Sequence, residues 1–260
     1  MSTASRKTVI VTGAAGGLGK VIATTFLNAG SNVVICDVNE QRLDQVEKEL
    51  SKFSDQLVTL KADVSDEASV QSLVDTAVAK FGRLDILINN AGVMDDFSPV
   101  GACSKDKWDR VMAINLNGPY LTSKAAIHQF EKQEGSSGVI INIGSNASFM
   151  GFKSGCAYTV SKAGLMALTK NTAGFYGPKG IYCMALLLGG METNITDAFA
   201  QGLHMEMFQR IQASQTPFEP GKSSTPLQSV ADYCLFLSGE NIAPSANGSC
   251  VVFNKNWPEA

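Results

Sequence analysis

Short apolar runs closed by a polar residue or a glycine recur along the chain. Val9 to Val11 leads into Thr12 and Gly13, Asn32 to Ile35 into Asp37, Leu57 to Leu60 into Asp63, and Leu84 to Ile88 into Asn89. Runs of this length, rich in Val and Ile and lacking polar alternation, predict strands buried on both faces, as in a parallel sheet. Val139 to Ile143, Ile181 to Leu188 and Ser249 to Phe253 extend the series. Between them apolar residues recur at three and four: Leu43, Val46, Leu50 and Phe53, then Val70, Leu73, Val74, Ala77, Val78 and Phe81. That period predicts amphipathic helices. Strand and helix alternate at least five times, which predicts an α/β, doubly wound sheet with helices on both faces, because right-handed crossovers carry each helix over it.

No linker or repeat interrupts the rhythm, so a single domain over residues 1–260 is expected. The stretch 189–221 departs from it. Met191, Phe199, Leu203, Met205, Met207, Phe208 and Ile211 stand among polar residues there, before the loop from Pro217 to Gly221. Two readings fit: an apolar helical insertion serving as a lid over a substrate pocket, or a surface helix with one packed face.

Composition narrows the partners. Only 17% of the 260 residues are charged, against about 25% in an average globular chain, so burial dominates. With 21 Lys and Arg against 24 Asp and Glu, net charge is −3. No long basic run offers a nucleic-acid surface. A small-molecule partner is the better expectation. The first apolar run is too short for a signal peptide and no segment reaches membrane-span length, which implies a soluble, cytoplasmic protein with no membrane partner. Six cysteines without a Cys-x-x-Cys pair, and two distant histidines, His128 and His204, point to reduced, packed thiols rather than a metal site.

Candidate chemistry begins after the first strand. Thr12-Gly13-Ala14-Ala15-Gly16-Gly17-Leu18-Gly19 opens a helix patterned on Val21, Ile22, Thr25 and Phe26. Gly13 suits a tight turn, Gly17 a close approach of backbone to a pyrophosphate, and Gly19 close packing of helix on strand; the free N–H groups of the helix N-terminus attract the anion. Asp37 ends the second strand eighteen residues beyond Gly19, near the spacing of about 20 at which an acid receives ribose hydroxyls. A carboxylate there repels a 2′-phosphate, and Ala14, Ala15 and Val38 supply no cation for one. NAD is therefore expected over NADP.

Farther along, Tyr158 and Lys162 share a helix face in the pattern Ala157 to Ala173, where an ammonium beside a phenol is expected to lower the phenol pKa. Ser145 lies thirteen residues before Tyr158, at the carboxyl end of a predicted strand, where α/β sheets bind ligands. Asn115 interrupts the apolar helical pattern of Trp108, Val111, Met112 and Leu116. Asn146, Phe149, Met150, Phe152, Asp95, Asp96 and Met191 stand beside these residues as candidate pocket wall.

Together, Thr12-Gly13 through Gly19, Asp63-Val64, Asn89-Asn90-Ala91-Gly92, Asn115, Ser145 and Tyr158-x-x-x-Lys162 resemble the short-chain dehydrogenase/reductase family over residues 7 to 257. The resemblance implies a Rossmann fold with a seven-stranded parallel sheet in the order 3-2-1-4-5-6-7, hydride transfer between a nicotinamide and a carbonyl or secondary alcohol, and a homodimer or homotetramer. Tyr158 would be the acid/base and Ser145 would bind the substrate oxygen. Lys162 would bind the nicotinamide ribose and Asn115 would hold a water. Gly13, Gly17, Leu18 and Gly19 would face the phosphates, Asp63 and Val64 the adenine, Asn90, Ala91 and Gly92 the adenosine side, and Met191 and Thr193 the carboxamide.

Two departures from the family pattern stand out. Met184 and Leu188 replace its usual Asn and Pro after the sixth strand, which predicts a looser nicotinamide loop. Phe253-Asn254-Lys255-Asn256-Trp257 replaces a flexible Gly-Gly end. The expectation is an NAD(H)-dependent oxidoreductase for a bulky apolar alcohol or ketone. An NADPH-dependent ketoreductase, or a cofactor-binding protein with a regulatory or non-redox role, are the alternatives.

Overall fold

The computed structural model describes residues 6–135, 137–193, 195, 199 and 202–258. Seven strands, β1 (Thr8–Thr12), β2 (Asn32–Asp37), β3 (Leu57–Lys61), β4 (Ile86–Asn89), β5 (Gly138–Ser145), β6 (Ile181–Leu188) and β7 (Cys250–Phe253), form one parallel sheet in the order β3-β2-β1-β4-β5-β6-β7. This is the doubly wound order expected.

Successive residues of a strand face opposite sides, and the buried residues divide accordingly. Val9, Val11, Val33, Ile35, Ile86, Ile88, Ile141, Met184, Leu186 and Leu188 pack under α1 (Gly17–Asn28), α2 (Glu40–Glu49) and α8 (Leu227–Leu237). Ile10, Val34, Cys36, Leu87, Ile140 and Cys183 pack under α3 (Glu67–Phe81), α5 (Gly118–Lys132) and the end of α6 (Cys156–Tyr176). Both faces are covered, which is why these strands read as unbroken apolar runs.

Chain order reverses between β1 and β4, so the crevice that receives ligands opens at the carboxyl ends of those strands. Three of the helices around it carry a side-chain start signal. Asn39, Asp66 and Ser104 cap α2, α3 and α4 (Lys105–Met112) through their own side chains. The predicted pattern around Asn115 is helical but not regular: a wide π turn, Ala113–Asn117, joins α4 to α5 and holds Asn115 fully buried. Such turns insert an extra residue and recur at functional sites.

Met184 and Leu188 both lie within β6 rather than after it. Met184 is buried in the core, and Leu188 pairs with Ser145 on one side and Phe253 on the other. A residue with an N–H extends β6 where proline would end it. Of the stretch 189–221, residues 194, 196–198, 200 and 201 lie outside the described residues; the rest includes α7 (Met205–Ala213), whose Ile211 is buried. A short helix, α9 (Ala243–Ala246), precedes β7. No helix among the described residues is long and apolar enough to cross a membrane.

Candidate active site

The turn after β1 is built from positions that exclude a side chain. Gly13 has φ +61°, and a Cβ on it would lie 2.7 Å from Ala91 Cα; a Cβ on Gly19 would lie 2.5 Å from the Gly13 carbonyl oxygen. Gly17 also has positive φ, which only glycine adopts freely. The turn is clamped from β4. Asn90 Nδ2 donates to the carbonyls of Thr12 and Gly13, 2.9 Å each, while Thr12 Oγ1 accepts from the backbone N–H groups of Asn90 and Ala91 at 3.1 and 3.0 Å. The Asn90 side chain therefore supports the turn. Gly16, at the start of α1, provides no side-chain cap, and the first turn has no acid. Its N–H groups and dipole are left for an anion.

Asp37 serves this turn as well. Its Oδ2 accepts from Ala15 N–H at 3.2 Å and its Oδ1 from Asn39 N–H at 3.0 Å, which leaves acceptor capacity toward the cleft. Asp63 accepts from the Ser65 N–H and hydroxyl, and Val64 is buried against Gly118.

One cleft of about 640 Å³ joins Gly13, Gly17, Leu18, Asp37, Asp63, Val64, Asn90, Ala91, Gly92, Tyr158, Lys162, Met191 and Thr193. Thirteen of the residues expected from sequence thus meet along a single surface. Gly19 lies behind the turn. Arg42, Val93, Arg110, Ile114 and Ile195 also line the cleft and were not expected. Arg42 could have been found: it lies in the first turn of α2, five residues past Asp37, on the same edge. Arg110 and Ile195 carry no local signal, since a tertiary fold brings them in.

At the other end, β5 delivers Ser145 and α6 delivers Tyr158 and Lys162, one turn apart and both buried. Ser145 stands beside the Tyr158 hydroxyl. Lys162 Nζ donates to the Ile143 carbonyl at 2.9 Å and stands 5.7 Å from the Tyr158 ring centroid. Burial pushes the phenol up to about 12; the neighbouring Ser145 hydroxyl acts to lower it, and the Asp95 charge raises it further. The lowering by Lys162 expected from spacing does not govern this site. Burial instead brings Lys162 down to about 8, because a low-dielectric site disfavours the ammonium.

Asn115 is spent on protein contacts. Its Oδ1 accepts from Val93 N–H at 2.8 Å, and its Nδ2 donates to the Val93 carbonyl at 2.9 Å and to Ser161 Oγ at 3.2 Å. It pins the loop after β4 to α6. A Cβ on Gly92 would come within 3.4 Å of Asn115 Oδ1 and 3.6 Å of Lys162 Nζ, so this glycine separates the two polar groups.

Three expected pocket residues face elsewhere. Asn146 is buried and bonds to the Trp257 carbonyl and the Asn254 side chain. Asp95 is buried under the start of α6, and Asp96 pairs with Lys107. A polar residue next to a site in sequence alternates between lining it and bracing it, and only packing distinguishes the two.

The chain is similar to known proteins over nearly its whole length. Residues 7–203 match the family model for short chain dehydrogenases. A short chain dehydrogenase/reductase of Colletotrichum higginsianum is 43% identical over 252 residues, covering 96% of this chain and 93% of the relative. The 3β-hydroxysteroid dehydrogenase 2 of Eggerthella lenta is 36% identical over 253 residues, covering 96% and 94%. Among solved structures, a variant of actinorhodin polyketide ketoreductase with NADPH superposes with a TM-score of 0.84 at 25% identity, covering all of both chains. With the sheet order, the clamped glycine turn, and Tyr158 and Lys162 in the same cleft with Ser145 beside them, these matches establish that the chain belongs to the short-chain dehydrogenase/reductase family of oxidoreductases acting on CH–OH groups.

Proposed function

We propose that this protein interconverts a secondary alcohol and a ketone with NAD(H), and that its substrate is bulky and apolar. The observation that carries the reading is the pair Tyr158 and Lys162, buried one helical turn apart with Ser145 beside the phenol, at one end of the cleft whose other end is the glycine turn. The residues present fit a nicotinamide dinucleotide. Gly13 and Gly19 shape a turn that a Cβ would fill, α1 begins with uncapped N–H groups, and Asp37 keeps acceptor capacity for ribose hydroxyls. When bound, the nicotinamide supplies the hydride acceptor or donor.

The protein's part is position and proton handling. The nucleotide phosphates would lie against Gly17 and Leu18, the adenosine along Asp63, Val64 and the Asn90–Gly92 strip, and the carboxamide near Met191 and Thr193. Ser145 would hold the substrate oxygen. In oxidation Tyr158 Oη takes the alcohol proton, and in reduction it returns one to the carbonyl oxygen. Lys162 would hold the ribose. Apolar preference is supported by Val93, Ile114, Met191 and Ile195 along the cleft and by a relative named for a steroid alcohol. The chain would act as one domain, with α7 and its flanks covering the substrate end. Phe175, Phe236 and Val252 are exposed apolar residues that suit a homodimer or homotetramer, readable by light scattering.

A second reading, NADPH use, is favoured by one feature: Arg42 lines the cleft beside Asp37. Fluorescence titration with NADH and NADPH decides between them, followed by a screen of cyclic and aryl secondary alcohols at 340 nm. Tighter NADH binding with turnover of apolar alcohols is expected. Tighter NADPH binding overturns the Asp37 argument, and turnover confined to small anionic hydroxy acids overturns the apolar one.

A further inference from the structure

Helix α6 carries the two residues on which the proposed chemistry turns, yet it begins at Gly155, which has no side chain to cap it. The first N–H groups of a helix need an acceptor from elsewhere. Asp95 provides it from the loop after β4. Its Oδ1 accepts from Gly155 N–H at 3.1 Å, Ser154 Oγ at 3.2 Å and Phe97 N–H at 3.2 Å, and its Oδ2 accepts from the backbone N–H of Tyr158 at 2.9 Å. A Cβ on Gly155 would lie 2.5 Å from that carboxylate. Asp95 thus occupies the capping position of a helix sixty residues away, and one of its bonds is to the tyrosine itself.

The next two residues grip the opposite side. The Asp96 carbonyl accepts from His204 N–H, the residue preceding α7, at 2.8 Å. Phe97 has φ +65°, a region that bulky L residues rarely enter. That backbone turns its ring onto Phe208 of α7 at 5.0 Å and onto Phe199 at 5.6 Å. Phe97 N–H, in turn, is bonded to Asp95. One tripeptide therefore holds the start of α6 with its first residue and α7 with its second and third.

We propose that Asp95-Asp96-Phe97 couples α7 to the catalytic helix, with Asp95 the positioning residue for Tyr158 and Phe97 the contact through which the placement of α7 reaches it. The proposal deepens the reading of Tyr158 as acid/base and rests on it for its kinetic consequence. Its structural half stands alone. If the tripeptide is the link, loosening either end loosens the other, since coupling between two sites is reciprocal.

Hydrogen exchange of the full chain, read by mass spectrometry, tests the link without any substrate. Asp95→Ala is expected to raise exchange at residues 155–159 about tenfold, the scale of a lost helix cap, and to raise exchange across α7. Phe97→Ala is expected to raise exchange in α7 and in the first turn of α6, with the glycine turn and α1 unchanged in both variants. No change at α6 in Phe97→Ala, or a uniform rise over every element, overturns the coupling.

Oxidation of 1-phenylethanol with NAD tests the positioning. Asp95→Ala should lower kcat about 10- to 100-fold, the scale of a small misplacement of a reacting group, with NADH affinity within about threefold of wild type. Asp95→Asn, which keeps one acceptor oxygen, should recover part of the loss. Equal losses of kcat and NADH binding would mean a merely structural role. A wild-type chain inactive on 1-phenylethanol and on the wider alcohol screen would count against the proposed function alone, while the exchange pattern still decides the coupling.

Discussion

The two ends of the cleft are held together in different ways. At the glycine turn, support comes from the ends of the two strands that flank β1: Asn90 after β4 clamps Thr12 and Gly13, Asp37 of β2 accepts from Ala15 N–H, and Gly13 leaves no room for a Cβ against Ala91. At the substrate end, support comes from side chains on remote segments. Asn146, next to Ser145, bonds to Trp257 at 2.7 Å and to Asn254 at 3.1 Å; Trp257 Nε1 bonds to the Thr216 carbonyl at 3.0 Å, and its ring meets Phe218 edge-on at 5.3 Å. A phosphate must approach bare backbone, so few residue types serve there. A packed wall can be assembled from many side chains. The bulky C-terminal residues that replace a flexible end thus brace both Ser145 and the segment before α8.

This contrast predicts separable failures. The largest is expected where both ends meet the chemistry. Tyr158→Phe should lower kcat about 10³-fold, within the range of a lost general acid/base, and leave NADH titration unchanged; retained turnover would remove Tyr158 from its role. Next, Gly13→Ala should weaken NADH binding about 100-fold, since positive φ and a crowded Cβ each cost about 1–3 kcal/mol. Its effect on a poor apolar inhibitor of the substrate end should be small, and equal weakening of both ligands would break the comparison.

A smaller, opposite effect is expected of Trp257→Ala. Loss of an edge-on aromatic pair and one hydrogen bond, about 1–2 kcal/mol together, should raise KM for the alcohol about tenfold with NADH affinity intact. A shift in NADH binding instead would show that the strap serves the wrong end.

The smallest effect concerns pH. Tyr158 is raised from 10.0 to about 12, so the stability it contributes is whole below pH 10 and is lost as pH rises toward 12. Lys162 is lowered from 10.5 to about 8, so its contribution is whole above pH 10.5 and is lost as pH falls through 8. Thermal melts of Tyr158→Phe should therefore fall less steeply than wild type between pH 10 and 12, and those of Lys162→Met should fall less steeply from pH 10 to 7. Parallel curves would show that burial does not shift these groups. Alcohol oxidation, which needs the phenolate, should quicken with pH from 7 to 10.

Much of the site was legible because its physical demands leave a narrow choice of residue. Gly13 and Gly19 could be picked out since nothing larger fits, and Tyr158 and Lys162 since a spacing of four puts both on one helix face. Asp95 and Asn146 were misread as pocket wall for a different reason: Val93 and Gly144, two residues before them, line the cleft, while their own partners, Tyr158 N–H and Trp257, lie 63 and 111 residues away. The effect of Lys162 on Tyr158 was misjudged because spacing conveys proximity but not burial, and burial dominates both groups.

By itself, then, the sequence determined the strand and helix pattern, the sheet order through its resemblance, the glycine turn with Asp37, and the Ser145, Tyr158 and Lys162 set. Each follows from local periodicity or from a steric requirement that a short motif carries whole. Only the tertiary structure decided what caps α6, what braces Asn146 beside Ser145, that Arg110 and Ile195 reach the cleft, and which way burial moves the two titrating groups. Those are properties of contacts between distant segments, and contact and desolvation exist only once the chain has folded.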